Sequence, residues 1–170
     1  MPPGCYPLLR MQKVNLQHLP EEEWRSPSGK YHAFDQEVSV ALGREPKSLE
    51  LTKRHPFDLA RVRLPPGATL CPYHAHSAQW ELYVIIAGRG RIRHEHGFTE
   101  VGADDAFLFP PGEAHQLSNP GSEDLVYWVL ADNPVGESRY YPDSRKWSVA
   151  KGPGRAVIKG TPGDYLDGEE

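Results

Sequence analysis

The chain has 170 residues, 38% of them hydrophobic, with 17 prolines, 16 glycines and a formal net charge of −4. That length suits one domain with extensions rather than two cores, and such dense Pro and Gly punctuation excludes long helices. A mildly acidic chain with scattered basic residues has no field to hold a phosphate backbone, so nucleic acid is not expected as a direct partner.

The longest apolar run, LYVIIAG, is far short of a bilayer span, and no basic segment leads into an apolar one at the N-terminus. The expectation is a soluble, cytoplasmic protein without a membrane partner. Cys5 and Cys71 are no disulfide framework, which fits a reducing compartment. Cys71 precedes His74 by three residues, so a catalytic thiol competes with a small packed strand residue; packing is the expected role.

Residues 1–34 form an N-terminal arm. It holds MPPGCYPLLRMQ, a short helix expected at LPEEEWRS with Pro20 in its first turn, and SPSGKYH. Met11 is a second candidate start, which leaves the first ten residues as a leader. Residues 35–135 read as a β domain. The runs EVSVAL, FDLARVRL, ELYVIIAG, RIRHE, AFLFP and LVYWVLA are short strands separated by PPG, GRG, HEHG, VGADD, PPGEA and NPGSE. LYVII and LVYWVL are apolar on both faces, as strands are when a second sheet, an arm or a partner subunit covers the outside.

Residues 136–170 form a Gly- and Pro-rich tail. Composition alone allows disorder. Tyr140, Tyr141, Trp147 and Tyr165 are costly to leave in water, however, so the tail is expected to lie on the barrel or on a partner subunit.

Four residues carry the chemistry. Side chains two apart on a strand share a face, so His74 and His76 point the same way, about 7 Å apart. A turn through SAQW returns Glu81 to the same pocket, and the turn in FLFPPGEAHQLSN brings the chain back with His115 in phase. Three imidazoles and a carboxylate suit one divalent transition metal, Mn, Fe, Co, Ni, Cu or Zn, better than Ca or Mg. A second His-x-His pair, His94 and His96, abuts Gly97 and reads as a solvated hairpin tip.

Together these residues resemble the cupin superfamily, whose first motif is written G(X)5HXH(X)3,4E(X)6G and whose second is G(X)5PXG(X)2H(X)3N. Here the first is Gly67, His74, His76, Glu81 and Gly88, with one extra residue after Gly67. The second is Pro110, Gly112, His115 and Asn119, but Gly102 stands two residues early and Asp104 occupies the leading glycine's place, which suggests a longer turn. The resemblance implies an all-β double-stranded β-helix, a jelly roll, over about residues 35–135, with His74, His76, Glu81 and His115 at the family's ligand positions. The arm, SVALG, YYPDSRKW and the tail look similar to small single-domain bacterial cupins without a settled activity.

Tyr83 and Ile85 are in phase with Glu81, and Phe107 and Phe109 lie across from them, so these four are candidates for a substrate pocket. Gln79 and Trp80 are candidates for its mouth. No general acid or base is visible by spacing. The readings that follow are a metal-dependent oxygenase or isomerase acting on a small organic molecule, a binding module in which the metal anchors a carboxylate or sugar, and a structural metal without turnover. A homodimer is expected to cover the apolar strands and tail aromatics.

Overall fold

Strict alternation in FDLARVRL makes a strand with one buried face: Ala60, Val62 and Leu64 are buried, while Arg61 and Arg63 project to the other side. The computed structural model describes residues 11–46, 48, 50, 53–152, 154–160, 163, 164 and 166. The leader ahead of Met11, Cys5 and Tyr165 lie outside the described residues.

In chain order the strands are β1 (Glu22–Arg25), β2 (His32–Glu37), β3 (Phe57–Leu64), β4 (Ala75–His76), β5 (Glu81–Ala87), β6 (Arg89–His94), β7 (Gly97–Gly102), β8 (Ala106–Phe109), β9 (Gln116–Ser118), β10 (Leu125–Asp132), β11 (Arg139–Tyr141), β12 (Lys146–Lys151) and β13 (Gly154–Lys159). They form a six-stranded sheet in the order β1-β2-β3-β10-β5-β8, a four-stranded sheet β13-β12-β11-β4, and a three-stranded sheet β7-β6-β9. Every pairing is antiparallel. The fold is the all-β, cupin-like double-stranded β-helix. Its core is formed by Val62, Leu64, Tyr83, Ile85, Leu125 and Tyr127, with Ile92 and Leu117 from the three-stranded sheet.

Two expected elements are corrected. LPEEEWRS is not a helix: a 3-10 turn ends at His18, and Glu22–Arg25 is a strand paired to β2. An eight-residue helix is marginal alone, whereas the extended form gains a ladder and lets Glu21 reach Arg63 at 2.7 Å. EVSVAL is not a strand either. Its Val38–Ala41 turns into a one-turn helix, α1, which buries the consecutive Val38 and Ser39; an extended chain would send them to opposite faces. The Ser39 hydroxyl accepts the Leu59 N–H at 2.8 Å and fastens α1 to β3.

Two turns explain the glycine pattern. Gly88 has φ +81°, and a Cβ there would overlap the Asp124 carbonyl oxygen. At the second motif the turn is not lengthened: Asp104 itself takes the left-handed conformation, with φ 72°, and Asp105 Oδ2 accepts the Gly102 N–H at 2.7 Å.

The tail strands extend this frame toward the histidines. Arg139 pairs with His76 across β11 and β4, and Ser148 and Val157 continue the row, so Arg139, Tyr141 and Arg155 share the face of His76. Tyr140, Trp147 and Ile158 face outward. The Tyr140 and Trp147 rings lie 4.6 Å apart, and Trp147 and Ile158 stay 43% and 53% exposed.

Candidate metal centre

Each of the four residues is placed by a different backbone device. His74 and His115 form an antiparallel bridge, with N···O distances of 3.2 and 2.8 Å, so their side chains leave on one face. His76 follows two residues later on β4. Gly112, at φ 89°, gives its N–H to the His76 carbonyl at 2.7 Å, which ties the Pro-Gly turn to the strand it must face. Glu81 opens β5 opposite Phe109.

One ligand atom from each of His74, His76, Glu81 and His115 lies within 4.8 Å of the others, and all four residues are buried. His74 Nε2 stands 3.1 Å from His76 Nε2, and His115 Nε2 stands 3.0 Å from Glu81 Oε2. The outer nitrogens fix the tautomers. Nδ1 of His74 faces the Pro72 carbonyl at 2.9 Å, and Nδ1 of His115 faces the Glu113 carbonyl at 3.1 Å. A carbonyl only accepts, so both rings carry their proton on Nδ1 and turn a lone pair inward. Nδ1 of His76 meets Glu137 Oε1 at 2.8 Å, again an acceptor.

Three inward lone pairs and a carboxylate at these distances repel one another unless positive charge sits among them. The titration directions show how far protons alone can supply that charge. Burial, then its neighbours His115 and His76, lowers His74 to about 3. Burial acts against charge on His76 as well, but hydrogen bonds to Glu137 and Glu81 outweigh it and raise that group. Glu81 is held well below the carboxylate range: burial is the largest influence and opposes this, while His115 and His76 overcome it. The donor set, imidazole nitrogen and carboxylate oxygen with each imidazole oriented from behind, fits a divalent transition ion.

Glu137 is a site residue that strand phase could not reveal. Its Oε2 accepts the backbone N–H groups of Ala78 and Gln79, both at 2.9 Å, while Oε1 takes the His76 proton. It sits in a loop between β10 and β11, where neither alternation nor spacing marks it. Other supports come from the core. Phe109 stacks on His115 at 3.8 Å and 4°, and the Tyr83 hydroxyl donates to Glu81 Oε2 at 3.0 Å.

Tyr83, Ile85, Phe107 and Phe109 belong to the packed core or lie against it, behind the cluster. Glu81 instead lines a cavity of about 930 Å³. Ala60, Val129 and Ala131 make its floor, where small side chains leave room, and Gln79, Glu137 and Arg139 lie near the cluster end. Gln79 is therefore on the cavity wall, whereas Trp80 is 45% exposed at the surface. His94 and His96 lie at the β6–β7 hairpin, apart from the cluster, with His94 Nε2 engaged by Thr99 at 3.0 Å. Cys71 stands 3.7 Å from His74 Nδ1, and burial, with Glu81 adding, pushes its thiol up to about 12, which leaves no thiolate for nucleophilic work. Asn119 is structural: its amide donates to the Leu64 and Glu123 carbonyls at 2.8 and 2.7 Å.

Comparison with known proteins agrees with this geometry. Residues 60–131 match the Cupin domain family model. A Thermotoga maritima relative named Oxalate-binding protein is 35% identical over 72 residues, 42% of this chain; the matched stretch spans 58% of the relative's length. Two solved structures share the fold over most of the chain. A Silicibacter pomeroyi protein, described as a sugar phosphate isomerase from a cupin superfamily, superposes with a TM-score of 0.71 at 21% identity over 90% of this chain and 97% of its own. An Acidithiobacillus ferrooxidans protein, provisionally described as a sugar phosphate isomerase, gives 0.73 at 20% identity over 85% and 87%. The domain match and both motifs folded around one cluster place a Cupin domain over residues 60–131, and the solved structures share its fold.

Proposed function

We propose that the chain binds one divalent transition metal through His74, His76, Glu81 and His115 and uses it on a small organic molecule held in the adjoining cavity, as an enzyme of the isomerase or oxygenase class. The observation that carries this reading is the convergence of three Nδ1-protonated imidazoles and one carboxylate within 4.8 Å, beside a cavity of about 930 Å³. When bound, the ion supplies Lewis acidity or a redox couple. The chain's own groups do the rest. Glu137 holds the His76 ring, Phe109 packs the His115 ring, and Tyr83 restrains one Glu81 oxygen, while the apolar core behind them keeps water from that side.

A second reading, a non-catalytic binding module, is favoured by one feature. The groups able to move a proton at the cluster are already engaged: Glu137 by His76, Ser77, Ala78 and Gln79 and the Tyr83 hydroxyl by Glu81. The relative's name, Oxalate-binding protein, supports a small organic anion as the ligand of either kind of protein. Thermal-shift screening of the Fe, Mn, Ni and Zn forms, followed by product assay of each hit, separates the two. Turnover with a metal-dependent hit is expected. Stabilising hits without product in any metal form assign the module instead, and no metal uptake removes both readings.

The outward Tyr140, Trp147 and Ile158 face supports a homodimer that covers it, and a reducing cytoplasmic setting suits the free, half-buried thiol of Cys71. Among the described residues no helix is long and apolar enough to cross a membrane.

A further inference from the structure

Arginines on this molecule usually hold a carboxylate. Arg44 pairs with Asp58, Arg63 with Glu21 and Asp124, Arg91 with Glu100 and Arg93 with Asp143. Three arginines that line the cavity do not. Arg54 Nη2 meets the Asn133 and Pro134 carbonyls at 3.2 and 3.1 Å, and Arg155 Nη1 meets the Glu137 carbonyl at 3.4 Å. Arg139 makes no side-chain hydrogen bond or ion pair among the described residues. Its Nε and that of Arg54 are buried without a partner.

Glu137, whose carbonyl Arg155 meets, has its carboxylate already taken by His76, Ser77, Ala78 and Gln79. Like charges act on one another here: Arg155 is lowered by burial first and then by Arg139, against Glu137 and Tyr141, with Arg54 adding to the lowering. A guanidinium whose Nε is buried without an acceptor, as in Arg54 and Arg139, is costly, and an oxyanion beside it removes the cost. Sheet register fixes where that anion would sit. Arg139 is the antiparallel partner of His76, so its side chain leaves the sheet on the face of the metal cluster.

The part of the lining that comes from β1 and β2 has the other sign. Glu22 and Asp35 are cross-strand partners there, with Glu37 beside them, and Arg44 is occupied by Asp58. Burial and Glu22 raise Asp35. That part of the lining repels a second anion and accepts hydrogen bonds from hydroxyls.

We infer that the ligand is a small polyhydroxylated molecule with one anionic end, a carboxylate or phosphate, seated on Arg139, Arg155 and Arg54 beside the cluster. This deepens the proposed function and rests on it for the ion, though the arginine seat is built independently of any ion. A cavity of about 930 Å³ is of ordinary size for such a ligand.

The test is calorimetric titration of the full chain, metal content measured on the same samples, with glucose, gluconate, glucose 6-phosphate and glucarate at fixed ionic strength. Gluconate or glucose 6-phosphate should bind at least about tenfold more tightly than glucose, and the tighter of the two names the oxyanion; glucarate, anionic at both ends, should bind more weakly than gluconate. In R139Q/R155Q the anion affinity should fall about tenfold with metal content unchanged, while R139K/R155K keeps the preference for anions over glucose. Equal binding of glucose, binding of neither anion, or an undiminished R139Q/R155Q overturns the inference. If R139Q/R155Q does not fold, the lysine pair decides, and loss of its preference overturns the inference. Anion binding by a wild-type chain that takes up no metal would instead defeat the metal reading and leave the anion seat standing.

Discussion

Glu137 Oε1 lies 2.8 Å from His76 Nδ1, although the two residues are 61 positions apart. The contact sets which imidazole nitrogen faces the cluster. Glu137→Ala is therefore expected to lower metal affinity by about ten- to a hundredfold, by the usual effect of losing a group that orients a ligand. Competition against a chromogenic chelator measures it. Wild-type affinity in that variant would show that Glu137 only braces the loop.

Asp104 stands in the left-handed region, where the family motif has glycine. Asp104→Gly should leave stability unchanged or raise it by up to about 1 kcal/mol, and Asp104→Val should lower it by about 1–2 kcal/mol. Urea midpoints of the metal-loaded proteins are the measurement. If valine is as stable as aspartate, the turn does not hold the positive φ described.

The Tyr127 hydroxyl is fully enclosed and has no hydrogen-bond partner among the described residues, and burial drives its pKa well above the usual phenol value. Tyr127→Phe removes an unsatisfied group at constant shape, so a gain of about 1 kcal/mol is expected. A loss of that size in chemical denaturation would mean the hydroxyl is satisfied in solution.

Trp147 lies on the outward face of the tail sheet with Tyr140 and Ile158. Trp147→Glu places a charge in the face assigned to the second copy and should turn a dimer into a monomer in light scattering, with metal content intact. A wild-type monomer at micromolar concentration removes the dimer outright.

Much of the frame was legible because it follows from period-two alternation and turn chemistry. FDLARVRL is β3 residue for residue, and ELYVIIAG and LVYWVLA mark β5 and β10. The cluster was legible for the same reason: His74 and His76 share strand phase, and the Pro-Gly turn returns His115 opposite His74. Failures came where tertiary pairing beats local propensity. LPEEEWRS carries helix-start chemistry yet becomes an edge strand, because β2 offers a ladder. EVSVAL alternates like a strand yet turns, because Val38 and Ser39 are both buried. Glu137 and Arg139 left no trace, since a loop carboxylate and a tail arginine acquire meaning only when β11 pairs with β4. Tyr83, Ile85, Phe107 and Phe109 were rightly placed in phase with Glu81, but phase gives a face, and this part of the face is filled core.

Anomalous-difference diffraction from crystals of untagged protein, at the absorption edge of the metal it carries, tests the central claim most directly. The expected result is one strong peak bonded to Nε2 of His74, His76 and His115 and to the Glu81 carboxylate, about 2.0–2.2 Å from each, and no peak at His94 and His96. A chain free of metal at those four residues, or a metal held elsewhere, contradicts the account.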